Sequence, residues 1–170
     1  LVGGGSYKLV EGEPEELRGC KVTGDLFATL GARPLLGHAF GREHEITGNH
    51  RVAVLSYGFW QRRFGGDPHI VGRRLRLDAG VHEVVGVMPD GFTYPALGRP
   101  FDLWTPLAFD ASARDDVSPV RGAVLRLNDE VTPHQATARL ESISKGLKQT
   151  PGFGWLPILV PLHESLLGAT

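Results

Sequence analysis

Apolar and polar residues alternate along Arg73–Leu77 and again along Val81–Val87, on either side of Asp78-Ala79-Gly80. Two period-two runs around a turn with glycine at its left-handed position predict a β-hairpin. Upstream, Arg51–Leu55 carries β-branched Val52 and Val54 and reads as a strand. Ser56 follows as a helix cap, and Tyr57–Phe64 reads as a short helix closed by Gly65-Gly66. Asp67-Pro68 is a second cap followed by a first-turn proline, which predicts another turn of helix.

The flanking segments are patterned less strongly. A short strand is expected around Tyr7–Val10 and another over Leu17–Val22. Thr23 then caps a helix over Gly24–Leu30, with Leu26, Phe27 and Leu30 on one face and Gly31 ending it. Ala32 to His50 reads as loop. Met88-Pro89-Asp90-Gly91 reads as a tight turn, and Asp102–Leu107 as an extended segment broken by Pro106. Asp110–Pro119 is a polar stretch, and Gly122–Leu127 reads as a strand. Thr132-Pro133-His134-Gln135 is a capping box ahead of the longest helix. That helix carries Ala136, Leu140, Ile143 and Leu147 on one stripe, and Pro151-Gly152 ends it. Leu156–Pro161 reads as a last apolar strand, with Leu166-Leu167 leading out. The order is that of an α+β domain.

Composition narrows the class. At 170 residues and 41% hydrophobic the chain can bury a core. A net charge of −1 gives no basic excess for phosphates, so no nucleic-acid partner is expected. Cys20 is the single cysteine, which rules out an internal disulfide or a paired-cysteine motif. No apolar run reaches the ~20 residues of a membrane span, and no signal peptide opens the chain. The sequence starts at Leu1 and its one methionine is Met88, so a piece of a longer protein is expected.

Candidate chemistry is thin. His38, His44 and His50, with Glu43 and Glu45 between them, are spaced poorly for zinc and read as solvated loop histidines. Gly3-Gly4-Gly5-Ser6 lacks the spacing of a phosphate loop and reads as flexible or turn glycine. Ser56 fails the nucleophile-elbow pattern because Val54 stands where glycine is required. Glu43, Glu45, Asp67 and Asp90 sit beside turns, where carboxylates cap backbone N–H groups. Phe59, Trp60, Phe64, Phe92, Tyr94, Phe101 and Trp104 are the bulky set. They read first as core and second as a ligand platform.

Several runs together resemble one family. Arg51–Pro68 (RVAVLSYGFWQRRFGGDP), Ile70–Asp78 (IVGRRLRLD), Val84–Pro95 (VVGVMPDGFTYP) and Asp102–Leu107 (DLWTPL) are similar to the MacB-like periplasmic core domain of ABC-transporter permeases. Val22–Gly31 (VTGDLFATLG) and Leu35–Gly37 resemble the family's entry, in the same order. Downstream, Arg126–Thr132 (RLNDEVT) departs from the family pattern at Glu130, where glycine is common.

The resemblance implies an extracytoplasmic domain inserted between the first two transmembrane helices of a permease in the bacterial inner membrane, on its periplasmic face. It implies two lobes: a strand-rich "sabre" lobe, mainly residues 17–107, and a "porter" lobe of strand–helix–strand units to which 120–165 return. The first porter unit would be incomplete at the N-terminus. The implied partners are the permease's own transmembrane helices, a second permease copy, a cytoplasmic ABC ATPase and, as an optional member, a periplasmic adaptor. The implied role is non-catalytic, in efflux or envelope transport, by transmitting movement. The structural motif residues are Ser56, Trp60, Phe64, Gly65, Asp67, Pro68, Gly72, Gly86, Pro89, Phe92, Pro95, Trp104 and Pro106. No catalytic residue, metal or cofactor carries over. A small-molecule or peptide-binding module and a hydrolase with an unrecognised site are the alternatives.

Overall fold

In a computed structural model, residues 2–94, 100–108, 122–147 and 159–162 are described. The chain divides into two compact units, Leu1–Val124 and Leu125–Thr170.

The first unit opens with a long hairpin, β1 (Val2–Leu9) against β2 (Glu15–Val22), antiparallel from Val2↔Val22 to Leu9↔Glu15. The expected strand at Tyr7–Val10 thus extends back through the glycines read as flexible. Backbone pairing needs no side chains, and Tyr7 supplies what the glycines lack. Its ring occupies the space over Gly19, where an added Cβ would lie 2.1 Å from it. Next come α1 (Leu26–Leu30), the two-residue β3 (Leu36–Gly37) and β4 (Val52–Leu55). α1 starts later than expected, with Asp25 rather than Thr23 in the cap position. Leu26 N–H donates to Thr23 O, so Thr23 belongs to the turn leading in.

After β4 follow α2 (Tyr57–Phe64), β5 (Arg74–Leu77), β6 (Gly80–Val87) and β7 (Leu103–Pro106). Asp67-Pro68 starts no helix. Asp67 Oδ1 accepts from His69 N–H at 2.9 Å, and Ile70 N–H closes a turn onto Asp67 O. The aspartate thus caps a single hydrogen-bonded turn that does not continue as a helix.

The seven strands make one mixed sheet, ordered β3-β6-β4-β7-β2-β1-β5, and β5 pairs again with β6. Six of the strands therefore form a ring, with β3 added to β6 at Leu36↔Val87 and Gly37↔Gly86. Pairs β2–β7 and β4–β6 are parallel.

Alternation along the strands produces two cores. The first draws on every strand of the ring: Tyr7, Leu9, Leu17, Ala53, Leu55, Leu75, Leu77, Val84, Val87 and Leu103, joined by Phe59, Trp60 and Ile70. The second lies on the opposite face, where Cys20, Val22, Val54, Val85 and Trp104 meet Leu26, Phe27, Phe40, Met88 and Phe101. Alternation from Val52 and Val54 would suggest those valines as the face under α2. The structure turns Ala53 and Leu55 to the helix instead and Val52 and Val54 to the core that holds Leu26 and Phe27 of α1.

In the second unit, α3 runs from Pro133 to Leu147. Its capping box forms as expected: Gln135 N–H donates to Thr132 Oγ1 at 3.3 Å, and Thr132 N–H to Gln135 Oε1 at 2.9 Å. The covered residues are Ala136 and Ser144, with Leu140 intermediate, while Ile143 is 54% exposed. The covered stripe is thus rotated one position from the expected one, and the side chain of Leu147 is outside the description. Gly122–Leu127 is not a strand, for only residue 122 forms a bridge. Residues 109–121, 148–158 and 163–170 are outside the described set. The expectations for Asp110–Pro119, Pro151-Gly152, Leu166-Leu167 and most of Leu156–Pro161 lie there.

Candidate functional site

Seven of the motif residues, from Ser56 to Gly72, lie on α2 or in the segments that flank it. Ser56 Oγ accepts from Phe59 N–H at 3.2 Å and holds the helix start, while Ser56 N–H donates to Asp102 O at 2.8 Å. Gly65 ends the helix at φ 60, a left-handed conformation that costs glycine nothing. Trp60 is buried against Tyr57, and its Nε1–H donates to Asp67 O at 2.9 Å. Phe64 meets Phe59 edge-on at 5.5 Å, with the Arg73 guanidinium 5.0 Å above its ring. Pro68 sits in the turn that brings Ile70 into the first core. Gly72 N–H then donates to Val84 O at 2.8 Å.

The remaining motif residues serve the second core. An added Cβ on Gly86 would lie 2.4 Å from His38 O, so only glycine lets the 36–38 segment cross β6 this closely. Pro89 O accepts from Phe92 N–H, folding the Met88–Gly91 turn. Phe92 packs on Trp104 at 5.2 Å and on Phe27 at 6.0 Å. Trp104 is fully buried and donates Nε1–H to Tyr94 O at 3.0 Å. Pro106 does not break its segment. It is the last residue of β7, opposite Val22, and Leu107 N–H carries the ladder on to Val22 O. Pro95 lies outside the described residues. The aromatics therefore pack as core, and a solvent-open platform is absent from this set.

What sequence reasoning missed is a polar clamp centred on Asp102. Its Oδ2 accepts from Arg18 N–H at 2.9 Å, and its own N–H donates to Arg18 O. Arg62 of α2 bridges Asp102 Oδ1 at 3.1 Å and Glu15 Oε1 at 2.7 Å. The Glu15 hydrogen bond, with Asp102 adding to it, pushes the Arg62 pKa up against the opposing effect of burial. Arg63 Nη2 donates to Glu11 O and Glu13 O, each at 3.0 Å. Two successive arginines at the end of α2 thus hold the tip of the β1–β2 hairpin. The signal available in sequence was the acidic run Glu11–Glu16 and the Arg62-Arg63 pair. Nothing in their spacing showed that the two would meet.

The histidines do not converge. His38 Nδ1 contacts Ala39 O, His44 Nδ1 contacts Gly41 N and Glu43, and His50 Nδ1 contacts Gly48 N. Among the described residues no group of three His, Cys, Asp or Glu is placed to hold a metal. A shallow cavity of about 540 Å³ lies beside α1, walled by Phe27, Ala28, Pro34 and Phe40 with Arg33 on its rim. No helix among the described residues is long and apolar enough to cross a membrane.

The described residues thus form a closed mixed sheet with the capped helix α2 packed into its first core. The family model for the MacB-like periplasmic core domain matches residues 3–143, and the chain belongs to that family. The fold is shared with solved structures of low identity. The periplasmic region of MacB from Actinobacillus actinomycetemcomitans superposes with TM-score 0.60 at 15% identity, over 87% of this chain and 64% of that one. The extracellular domain of the noncanonic ABC-type transporter YknZ from Gram-positive bacteria gives TM-score 0.62 at 12% identity, over 91% and 76%. A domain of a putative permease from Porphyromonas gingivalis gives 0.54 at 16%, over 91% and 68%. The chain thus spans under two thirds of the MacB region. No curated protein sequence matches it.

Proposed function

We propose that this chain is the extracytoplasmic, non-catalytic domain of an ABC-transporter permease, and that it transmits ATP-driven movement in efflux or envelope transport. The family match over residues 3–143 carries this reading. It is supported by solved relatives that are a periplasmic region and an extracellular domain of an ABC-type transporter. The clamp adds a physical argument. Arg62 and Arg63 tie the β1–β2 hairpin to α2, and Asp102 ties it to β7, which gives a path for force between these elements.

On this reading the domain sits on the periplasmic face of a bacterial inner membrane. Residues 17–107 form the sabre-like lobe and 120–165 return to a porter-like lobe, a split that the division between Val124 and Leu125 supports. The partners are the permease's transmembrane helices, a second copy, a cytoplasmic ATPase and an optional adaptor. Coupling requires two arrangements that meet the second copy differently. A reducible disulfide between the domains of two copies in the full-length permease should block transport and slow ATP hydrolysis, and reduction should restore both. Transport and hydrolysis that continue unchanged with the domains locked would refute the reading.

A further inference from the structure

The ring of strands has one weak joint. β5 is held to β6 from Arg74↔Glu83 to Leu77↔Gly80, but to β1 only at Leu9↔Leu77. Two backbone hydrogen bonds make that joint, Val10 N–H to Arg76 O and Asp78 N–H to Lys8 O, each 2.9 Å. His82 lies beside it on β6, opposite Leu75 of β5. It is 4% exposed, and its ring meets Tyr7 of β1 edge-on at 6.2 Å.

Burial and basic neighbours favour a neutral imidazole at His82, while its hydrogen bond to Gly80 favours the cation. Nδ1 lies 3.1 Å from Gly80 O, a contact that places the neutral ring's proton on Nδ1. Tyr7, facing it from β1, is itself neutral, its hydroxyl 2.7 Å from Thr105 Oγ1 of β7, and burial raises its pKa. β5 presents apolar Leu75. The titratable groups that act on His82 are His50 and Arg51, which lead into β4, and Lys21 of β2. All are basic. The Arg51 guanidinium lies against Gly80, 3.5 Å from where a Cβ would stand. Burial holds the His82 pKa below its ordinary 6.5, against the Gly80 hydrogen bond that raises it and with these basic neighbours adding to the lowering.

We propose that His82 makes the β1–β5 joint an acid-labile latch: in mild acid the imidazole becomes a cation among basic neighbours, and the joint opens reversibly while the rest of the ring stays paired. With the joint open the ring meets water and takes a proton at about pH 6.5. Closed, it resists protonation. Closure is therefore at full strength above about pH 6.5 and weakens as pH falls from there toward the closed-state pKa. Within that window each unit of fall in pH raises the open-to-closed ratio by up to about tenfold. The inference concerns this chain alone and does not depend on the transport reading.

The test is amide hydrogen exchange on the 170-residue chain between about pH 7.5 and about pH 5, corrected for intrinsic exchange. Protection of Val10 and Asp78 should fall by up to about tenfold per unit. Protection of Ser56 and Met88, whose N–H groups bond Asp102 O and Leu55 O away from the joint, should hold. His82→Gln should flatten the response at Val10 and Asp78. An undiminished response in His82→Gln overturns the proposal, as does a parallel loss at Ser56 and Met88, which would be global unfolding. If His82→Gln does not fold, the ring of His82 is titrated by NMR in the unaltered chain. A midpoint below 6.5 together with selective loss of protection at Val10 and Asp78 supports the latch, and a midpoint at or above 6.5, or no selective loss, overturns it.

Discussion

Trp60→Ala tests whether α2 is part of the core. Trp60 is 7% exposed and packs with Leu55, Phe59 and Ile70 in the first core. A buried aromatic removes ~150–250 Å² from water, and at ~25 cal/mol per Å² that corresponds to ~4–6 kcal/mol. Residual compactness of the unfolded chain trims this. Relaxation around the cavity brings it into the ~3–5 kcal/mol range of large-aromatic truncations. We expect about 4 kcal/mol, a large share of the ~5–15 kcal/mol that holds a domain folded. Trp60→Phe keeps most of the apolar volume and loses the Nε1–H bond to Asp67 O, so about 1–2 kcal/mol is expected. Urea unfolding at 25 °C, followed by far-UV circular dichroism, measures both. A loss below ~1 kcal/mol for Trp60→Ala would show that α2 does not anchor the sheet, and would reopen the aromatics as a ligand platform. Equal losses for the two variants would show that the hydrogen bond, not the ring volume, is what counts.

Asp102→Ala should cost about 2 kcal/mol in the same assay, because it removes the carboxylate that accepts from Arg18 N–H. Arg62→Gln should cost under ~1 kcal/mol, since the Arg62 side chain is half exposed and its ion pairs are screened; a larger loss for Arg62→Gln than for Asp102→Ala would reverse this ranking of the clamp. Thr132→Ala should remove about 1 kcal/mol from the second unit by taking away the cap of α3. Helicity unchanged by Thr132→Ala at every urea concentration would show that the capping box contributes nothing.

Local features were legible because their causes are local. Ser56 and Gly65 bracket α2, the Asp78-Ala79 turn joins β5 to β6 at Gly80, and Thr132 with Gln135 opens α3. Each depends on residues within a few positions of one another, so a single sequence contains the whole argument. The family was legible too, because its runs recur in order between Val22 and Leu107 and the match extends over residues 3–143. Elsewhere local rules gave way. The glycines at 3–5 are strand because β2 lies beside them, and Pro106 is strand because Val22 waits opposite. Ile143 is exposed although its spacing put it on the apolar stripe.

Only the tertiary structure decided which valines face which core, that β5 returns to β1 to close the ring, and that Arg62 and Arg63 reach the hairpin tip 50 residues upstream. It alone placed Asp102 at the junction of β2, α2 and β7, and His82 at the weakest joint of the ring. Neither residue carries a local signature, since an aspartate before a strand and a histidine within one are ordinary. The hydrogen bond of Asp102 to Arg18 spans 84 positions of chain, whereas that of Trp60 to Asp67 spans only 7. Pairings at that separation are set by how the strands stack, and strand order is a global free-energy choice that no short window of sequence contains.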